Sequence, residues 1–122
     1  MEILLKIHHD WAYTAIALNV FAGIWLLIGM NVNVVKSKKY FLYPIYIGWV
    51  ALAVQALLGI SLLLFTNEQA PSMHYFYGFI LLMIIGGIFA YSKSFGKNKY
   101  LILGIVAIFL AALSIRSILV VL

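Results

Sequence analysis

The side chains best able to bind a metal lie in two short stretches of the chain, each at the mouth of an apolar run. Lys6 to Trp11 leads into the first run and Met73 to Tyr77 opens the third, and together they hold all three histidines. A histidine at the edge of a bilayer is costly and usually has a partner or a ligand. Two helices that each offer one imidazole at similar depth predict a metal site, and in a membrane helix bundle the expected metal is haem iron. The alternative is that these histidines simply lie among lipid headgroups.

The composition predicts an integral membrane protein with a single domain over residues 1–122. Hydrophobic residues make up 66% of the chain and charged residues only 9%, which is more apolar surface than a soluble domain of this size can carry. The lack of Cys excludes disulfides and thiolate metal sites. The net charge of +5 does not indicate nucleic acid, because the lysines are concentrated in two loops. The first run is too long for the core of a cleavable signal peptide, so it is expected to remain in the mature protein.

Four apolar runs of spanning length indicate an all-α, up-down-up-down bundle of four transmembrane helices. Each approaches the ~20 residues needed to cross a hydrocarbon core, and short connections make successive helices antiparallel neighbours. A start as early as Ile3 is the alternative for the first helix, and it would embed His8. The predicted runs are about 11–30, 43–65, 73–91 and 100–122.

The lysines predict the orientation of this bundle. Three lie between Asn31 and Tyr40 and three between Ser92 and Lys99, with no acid in either loop, whereas the loop from Thr66 to Ser72 has Glu68 as its one charged residue. Lysine-rich loops remain in the cytoplasm, so both termini are expected outside. Aromatic residues at both ends, Trp11 among them, are expected to form interfacial belts.

Helical periodicity favours His8 over His9 as the inward imidazole of the first helix. His8 heads a face of small and polar residues: Ala12, Ala15, Asn19 and Ala22. His9 heads a bulky line that suits lipid or a neighbouring subunit, and it remains the alternative ligand. On the third helix Gly78 shares the face of His74, where a flat macrocycle could lie against the backbone. The alternative for Gly78 is ordinary close packing of helices.

The polar residues within the apolar runs each have a structural and a functional interpretation. Asn19 and Gln55 are expected to form interhelical hydrogen bonds. Asp10 is expected either to hold an imidazole N–H or to be a solvated interfacial carboxylate. Arg116 lies about 25 Å along the last helix, near the outer interface. It is expected to reach lipid headgroups, Asp10 or a haem propionate.

The pattern resembles a group of small bacterial four-helix membrane proteins described as b-type cytochrome-like. His8 opens the first helix, Gln55-Ala56-Leu57-Leu58-Gly59 matches a Gln-x-x-x-Gly motif in the second, and His74 opens the third. Ala12 and Ala53 stand where that group often has an arginine and a further histidine. The resemblance implies haem b and a location in the bacterial inner (plasma) membrane.

The sequence is compatible with three functions. The first is a haem b protein for electron transfer, a small subunit of a larger redox complex, with His8 and His74 as axial ligands and Arg116 near the propionates. The second is a cofactor-free accessory subunit of a respiratory or photosynthetic complex, whose partners are lipids and other membrane protein subunits. The third, least favoured, is a small cation-coupled transporter using Asp10. No nucleophile–base pair, phosphate loop or carboxylate pair indicates an enzyme.

Overall fold

The computed structural model describes residues 2–67 and 69–121 of the chain. Within these ranges the protein is helical and has no strand. The helices in chain order are α1 (Glu2–Gly29), the one-turn α2 (Asn33–Lys36), α3 (Tyr43–Phe65), α4 (Ser72–Tyr91) and α5 (Lys99–Leu119). Short 3₁₀ segments at Lys39–Leu42 and Ser92–Asn98 lead into α3 and α5.

Three helical stretches of the described residues are long and apolar enough to cross a membrane. They are Ile3–Gly29, Lys39–Phe65 and Ser72–Leu119. The third stretch is 48 residues long and contains both α4 and α5. Gly96 divides it, with a φ of 59° that a residue with a side chain rarely adopts.

The helix limits agree closely with the apolar runs of the sequence. The earlier of the two predicted starts of the first helix is right, because α1 already includes Glu2 and so embeds His8. Pro44 lies in the first turn of α3, where its missing N–H is harmless. The predicted end of the last run at Leu122, like Glu68 in the middle loop, lies outside the described residues, and α5 ends at Leu119.

The core lies where α1 packs between α3 and α5, its two most extensive contacts. The predicted small and polar face of α1 is the buried one, with Ala15, Asn19 and Ala22 fully buried. The backbones of α1 and α5 approach each other at two glycines. A methyl group on Gly23 would lie 2.6 Å from Ile108 Cδ1, and one on Gly104 would lie 2.8 Å from Leu27 Cγ. The absence of a side chain at both positions therefore permits this approach.

Side chains of α1 tie it to α3 through backbone carbonyls along most of its length. Trp25 Nε1 donates to Phe41 O at 2.8 Å, and Asn19 Nδ2 donates to Gly48 O at 3.0 Å. Trp11 Nε1 donates to Ala51 O at 2.8 Å. The residue numbers of the partners in α3 and its leading turn increase as the residue numbers in α1 decrease, so the two helices run antiparallel.

Helix α4 is packed far more loosely than the others. No residue between Ser72 and Tyr91, all of which are described, is fully buried. A methyl group added at Gly78, Gly86 or Gly87 would meet no atom within 4 Å. Gly78 therefore makes no close helix contact within the described chain, and it borders open space.

Candidate cofactor site

The structure brings His8 of α1 and His74 of α4 together at one end of the helices. Their ring centroids are 6.1 Å apart and the ring planes meet at 86°. Both residues are half-buried. In a straight line from one imidazole through a metal to the other, two metal–nitrogen bonds of about 2 Å add to the two distances from ring centre to nitrogen. The total is similar to the observed separation of the ring centroids. The spacing is thus compatible with a single metal ion between the two rings.

The ring of His74 is held by Ser117 of α5. Its Nδ1 lies 3.0 Å from the backbone oxygen of Ser117 and 2.8 Å from its hydroxyl oxygen. Because a carbonyl oxygen only accepts, the tautomer with its hydrogen on Nδ1 satisfies this contact. The lone pair is then on Nε2, which is the arrangement found in most histidine ligands of metals.

His8 contacts α3 through both its backbone and its ring. Gln55 Nε2 donates to the backbone oxygen of His8 at 2.7 Å, which fixes the register of α1 and α3 at this end. A methyl group on Gly59 would lie 3.1 Å from His8 Cε1, so this glycine lets the imidazole rest against the α3 backbone. The Nδ1 atom of His8 is buried without a hydrogen-bond partner among the described residues. A buried polar atom without a partner is costly, and Asn19 Oδ1, Trp49 Nε1 and Gln55 Oε1 share this state.

His9 and Asp10 form a separate, exposed pair. His9 Nδ1 lies 3.2 Å from Asp10 Oδ1, and both side chains are 59% exposed. Lys6 Nζ lies 3.9 Å from the other oxygen of Asp10. The expectation that His8 rather than His9 faces inward is confirmed. Asp10 thus contacts an imidazole, but it is the imidazole of the exposed His9.

Arg116 lies at the same end of the molecule and contacts α4 rather than an acid. Its Nε donates to the hydroxyl of Tyr77 at 3.4 Å, a long hydrogen bond at an exposed position. The expected pairing with Asp10 is not found, because Asp10 pairs with Lys6 and His9. Arg116 is nevertheless the residue directly before Ser117, whose hydroxyl contacts the ring of His74.

The donor set at this end consists of two imidazoles. Among the described residues there is no group of three or more His, Cys, Asp or Glu side chains that could hold a metal ion. A structural zinc site needs four such ligands. Haem needs only axial ligands from the protein. The imidazoles of His8 and His74, beside the open face at Gly78, are of the type that can serve as such axial ligands.

The contact of Ser117 with His74 was not predicted from the sequence. If α4 and α5 are antiparallel, a hydroxyl near the C-terminal end of α5 lies at the same depth as His74. Ser117, a polar residue within an apolar run, was the feature of the sequence that could have indicated this contact. Trp11 was expected in an interfacial belt, yet it donates inward to α3.

Comparison with protein-family models, curated proteins and solved structures gives no match. The resemblance to the b-type cytochrome-like group therefore stays a prediction.

Proposed function

We propose that the protein is a haem b-binding membrane protein for electron transfer, acting as a small subunit of a larger redox complex. The observation that carries the proposal is the pairing of His8 and His74 at 6.1 Å, from two helices far apart in sequence. The tautomer of His74 set by Ser117, the unpartnered Nδ1 of His8 and the open face at Gly78 support it.

In this proposal α1, α3, α4 and α5 each cross the bilayer. A continuous helix of 48 residues would be roughly 70 Å long, more than twice the hydrocarbon thickness. The break at Gly96 allows the Ser72–Leu119 stretch to cross twice. The two lysine-rich connections then share the cytoplasmic face of a bacterial inner membrane, and the histidines lie near the outer face.

Each residue of the site has a defined task in this proposal. His8 and His74 supply the axial nitrogens, and Ser117 orients the ring of His74. Gln55 and Gly59 hold α1 and α3 at the separation that places His8. Arg116 supplies a positive charge that can turn from Tyr77 to a propionate. Haem itself supplies a one-electron couple whose potential depends on these ligands and charges.

The first test is the absorption spectrum of the purified protein, oxidised and reduced. A Soret band with sharp reduced bands is expected, as for six-coordinate low-spin haem. His74→Ala should abolish the six-coordinate character. His8→Ala should do the same, whereas His9→Ala is the matched control and should leave the spectrum unchanged, because His9 is exposed and faces away.

Two outcomes would contradict the proposal. A featureless spectrum after purification from haem-supplemented cells would reject haem binding. An intact six-coordinate spectrum in His74→Ala would reject the ligand assignment. The topology is tested separately by reporter fusions, and a fusion in the loop between α3 and α4 that reports the cytoplasm would contradict the orientation.

A cofactor-free accessory subunit is the second candidate, favoured by a different observation. Gly86 and Gly87 lie far along α4 from His74, and neither has an atom near the position of an added methyl group. Small residues of this kind permit the close approach of a partner helix. A featureless spectrum together with co-purification of another membrane subunit would favour this candidate. The transporter hypothesis has less support, since Asp10 is 59% exposed and already near Lys6.

A further inference from the structure

We infer that the lysine-rich end of the protein binds the phosphate headgroup of an anionic phospholipid. A groove of about 200 Å³ lies there, between the C-terminal end of α1 and the N-terminal end of α5. It is lined by Met30, Lys36, Lys97, Asn98, Tyr100 and Leu101. His8 is at the opposite end of α1, so the groove is separate from the histidine site and the inference does not depend on haem.

The groove brings together two positive charges from different parts of the chain. Lys36 ends the short helix α2, and Lys97 belongs to the 3₁₀ segment before α5. Both side chains are exposed, and neither forms an ion pair with an acid among the described residues. Two ammonium groups that share a groove without a carboxylate create a site for an anion.

An apolar strip that continues from the groove argues for a lipid rather than a free phosphate. Leu101, Ile105 and Ile108 follow each other at helical spacing along α5 and are 40%, 54% and 36% exposed. An acyl chain can lie along this strip while the headgroup phosphate contacts the lysines. Basic grooves at the ends of membrane helices recognise anionic headgroups in this way.

The test compares two double variants of equal charge in the full-length protein. Lys36→Gln with Lys97→Gln removes both groove charges, and Lys38→Gln with Lys93→Gln removes two exposed charges from the same loops outside the groove. Binding of phosphatidylglycerol to the detergent-solubilised protein is measured against phosphatidylcholine. One lysine near an anionic surface is worth roughly fivefold in affinity, so the groove pair should lose about 25-fold and the control pair far less.

Further measurements distinguish a lipid headgroup from free inorganic phosphate as the source of the phosphate. Inorganic phosphate at millimolar concentration should not displace the lipid, because it cannot use the apolar strip. Displacement by inorganic phosphate would overturn the lipid assignment in favour of a soluble anion. Equal losses of phosphatidylglycerol affinity in the two double variants would overturn the assignment of the binding site to the groove. The binding would then depend only on the overall positive charge of this face. Circular dichroism of both variants checks that they fold alike.

Discussion

Gly78→Ala is expected to affect haem binding without affecting the packing of the polypeptide. Gly78 lies one turn of α4 from His74, and a methyl group at this position would meet no atom of the protein within 4 Å. The substitution thus costs no packing within the polypeptide, and it gains helix propensity of up to about 1 kcal/mol. A haem ring that lies flat on this face must make room for the same methyl group. The variant is therefore expected to be as stable as the wild type or more so, but to hold haem less tightly.

The expected size of the effect follows from overpacking. Forcing a methyl group into a packed contact costs about 1–3 kcal/mol, which corresponds to a roughly 5- to 100-fold loss of haem affinity. The assay is the rate of haem transfer to an acceptor apoprotein, together with the unfolding transition of the haem-free variant. Gly86→Ala is the matched control, since it also lacks neighbours but lies about 18 Å along α4 from His74 and about 120° around it.

Haem release at the wild-type rate in Gly78→Ala would contradict this prediction. The ring would then not lie on the face of α4 that carries His74 and Gly78. Faster release in both glycine variants alike would also contradict the placement, because it would trace the effect to α4 as a whole rather than to this position.

Three further substitutions test the surroundings of the site. Ser117→Ala removes one of two oxygens on His74 Nδ1 and should speed haem release by up to about tenfold in the same transfer assay, because the backbone oxygen remains. Arg116→Gln should lower the midpoint potential by on the order of tens of millivolts, since a nearby positive charge favours the reduced iron. Arg116→Lys should shift it less, and redox titration that finds no shift in either would reject the propionate role. Asn19→Ala should lower the free energy of unfolding by about 0.6–2 kcal/mol in a denaturant titration, because a buried interhelical bond is lost. Asn31→Ala is its control, as that side chain is exposed and bonds back to Leu27 O at the end of α1.

The sequence predicts most where the periodicity of a helix can be combined with the antiparallel order of neighbouring helices. The spacing of Ala15, Asn19 and Ala22 fixes one face of α1, and this face also carries His8. Antiparallel neighbours of similar length then bring the start of α4 to the start of α1. These two rules are enough to predict that His8 and His74 lie at the same end.

What the sequence could not predict depends on the rotation and register of packed helices. Trp11 looks like an interfacial residue by position, but its N–H reaches Ala51 O only because α3 lies at one particular rotation. The contact of Ser117 with His74 likewise requires the register of α4 on α5 to be known within one residue. The loose packing of α4 has no sequence signal, because its residues are as apolar as those of α3.

The sparse packing of α4 has a consequence for how the protein assembles. Helices α1, α3 and α5 can associate through buried surfaces, whereas α4 must dock on them with no fully buried side chain of its own. A molecule that binds only when α4 is docked stabilises the docked arrangement by mass action, by about 2.7 kcal/mol at a 100-fold excess over its Kd. Helix content would barely change in that step. The distance between α4 and α1, read by a pair of spin labels on their exposed faces, is therefore the quantity that would register the arrival of a ligand.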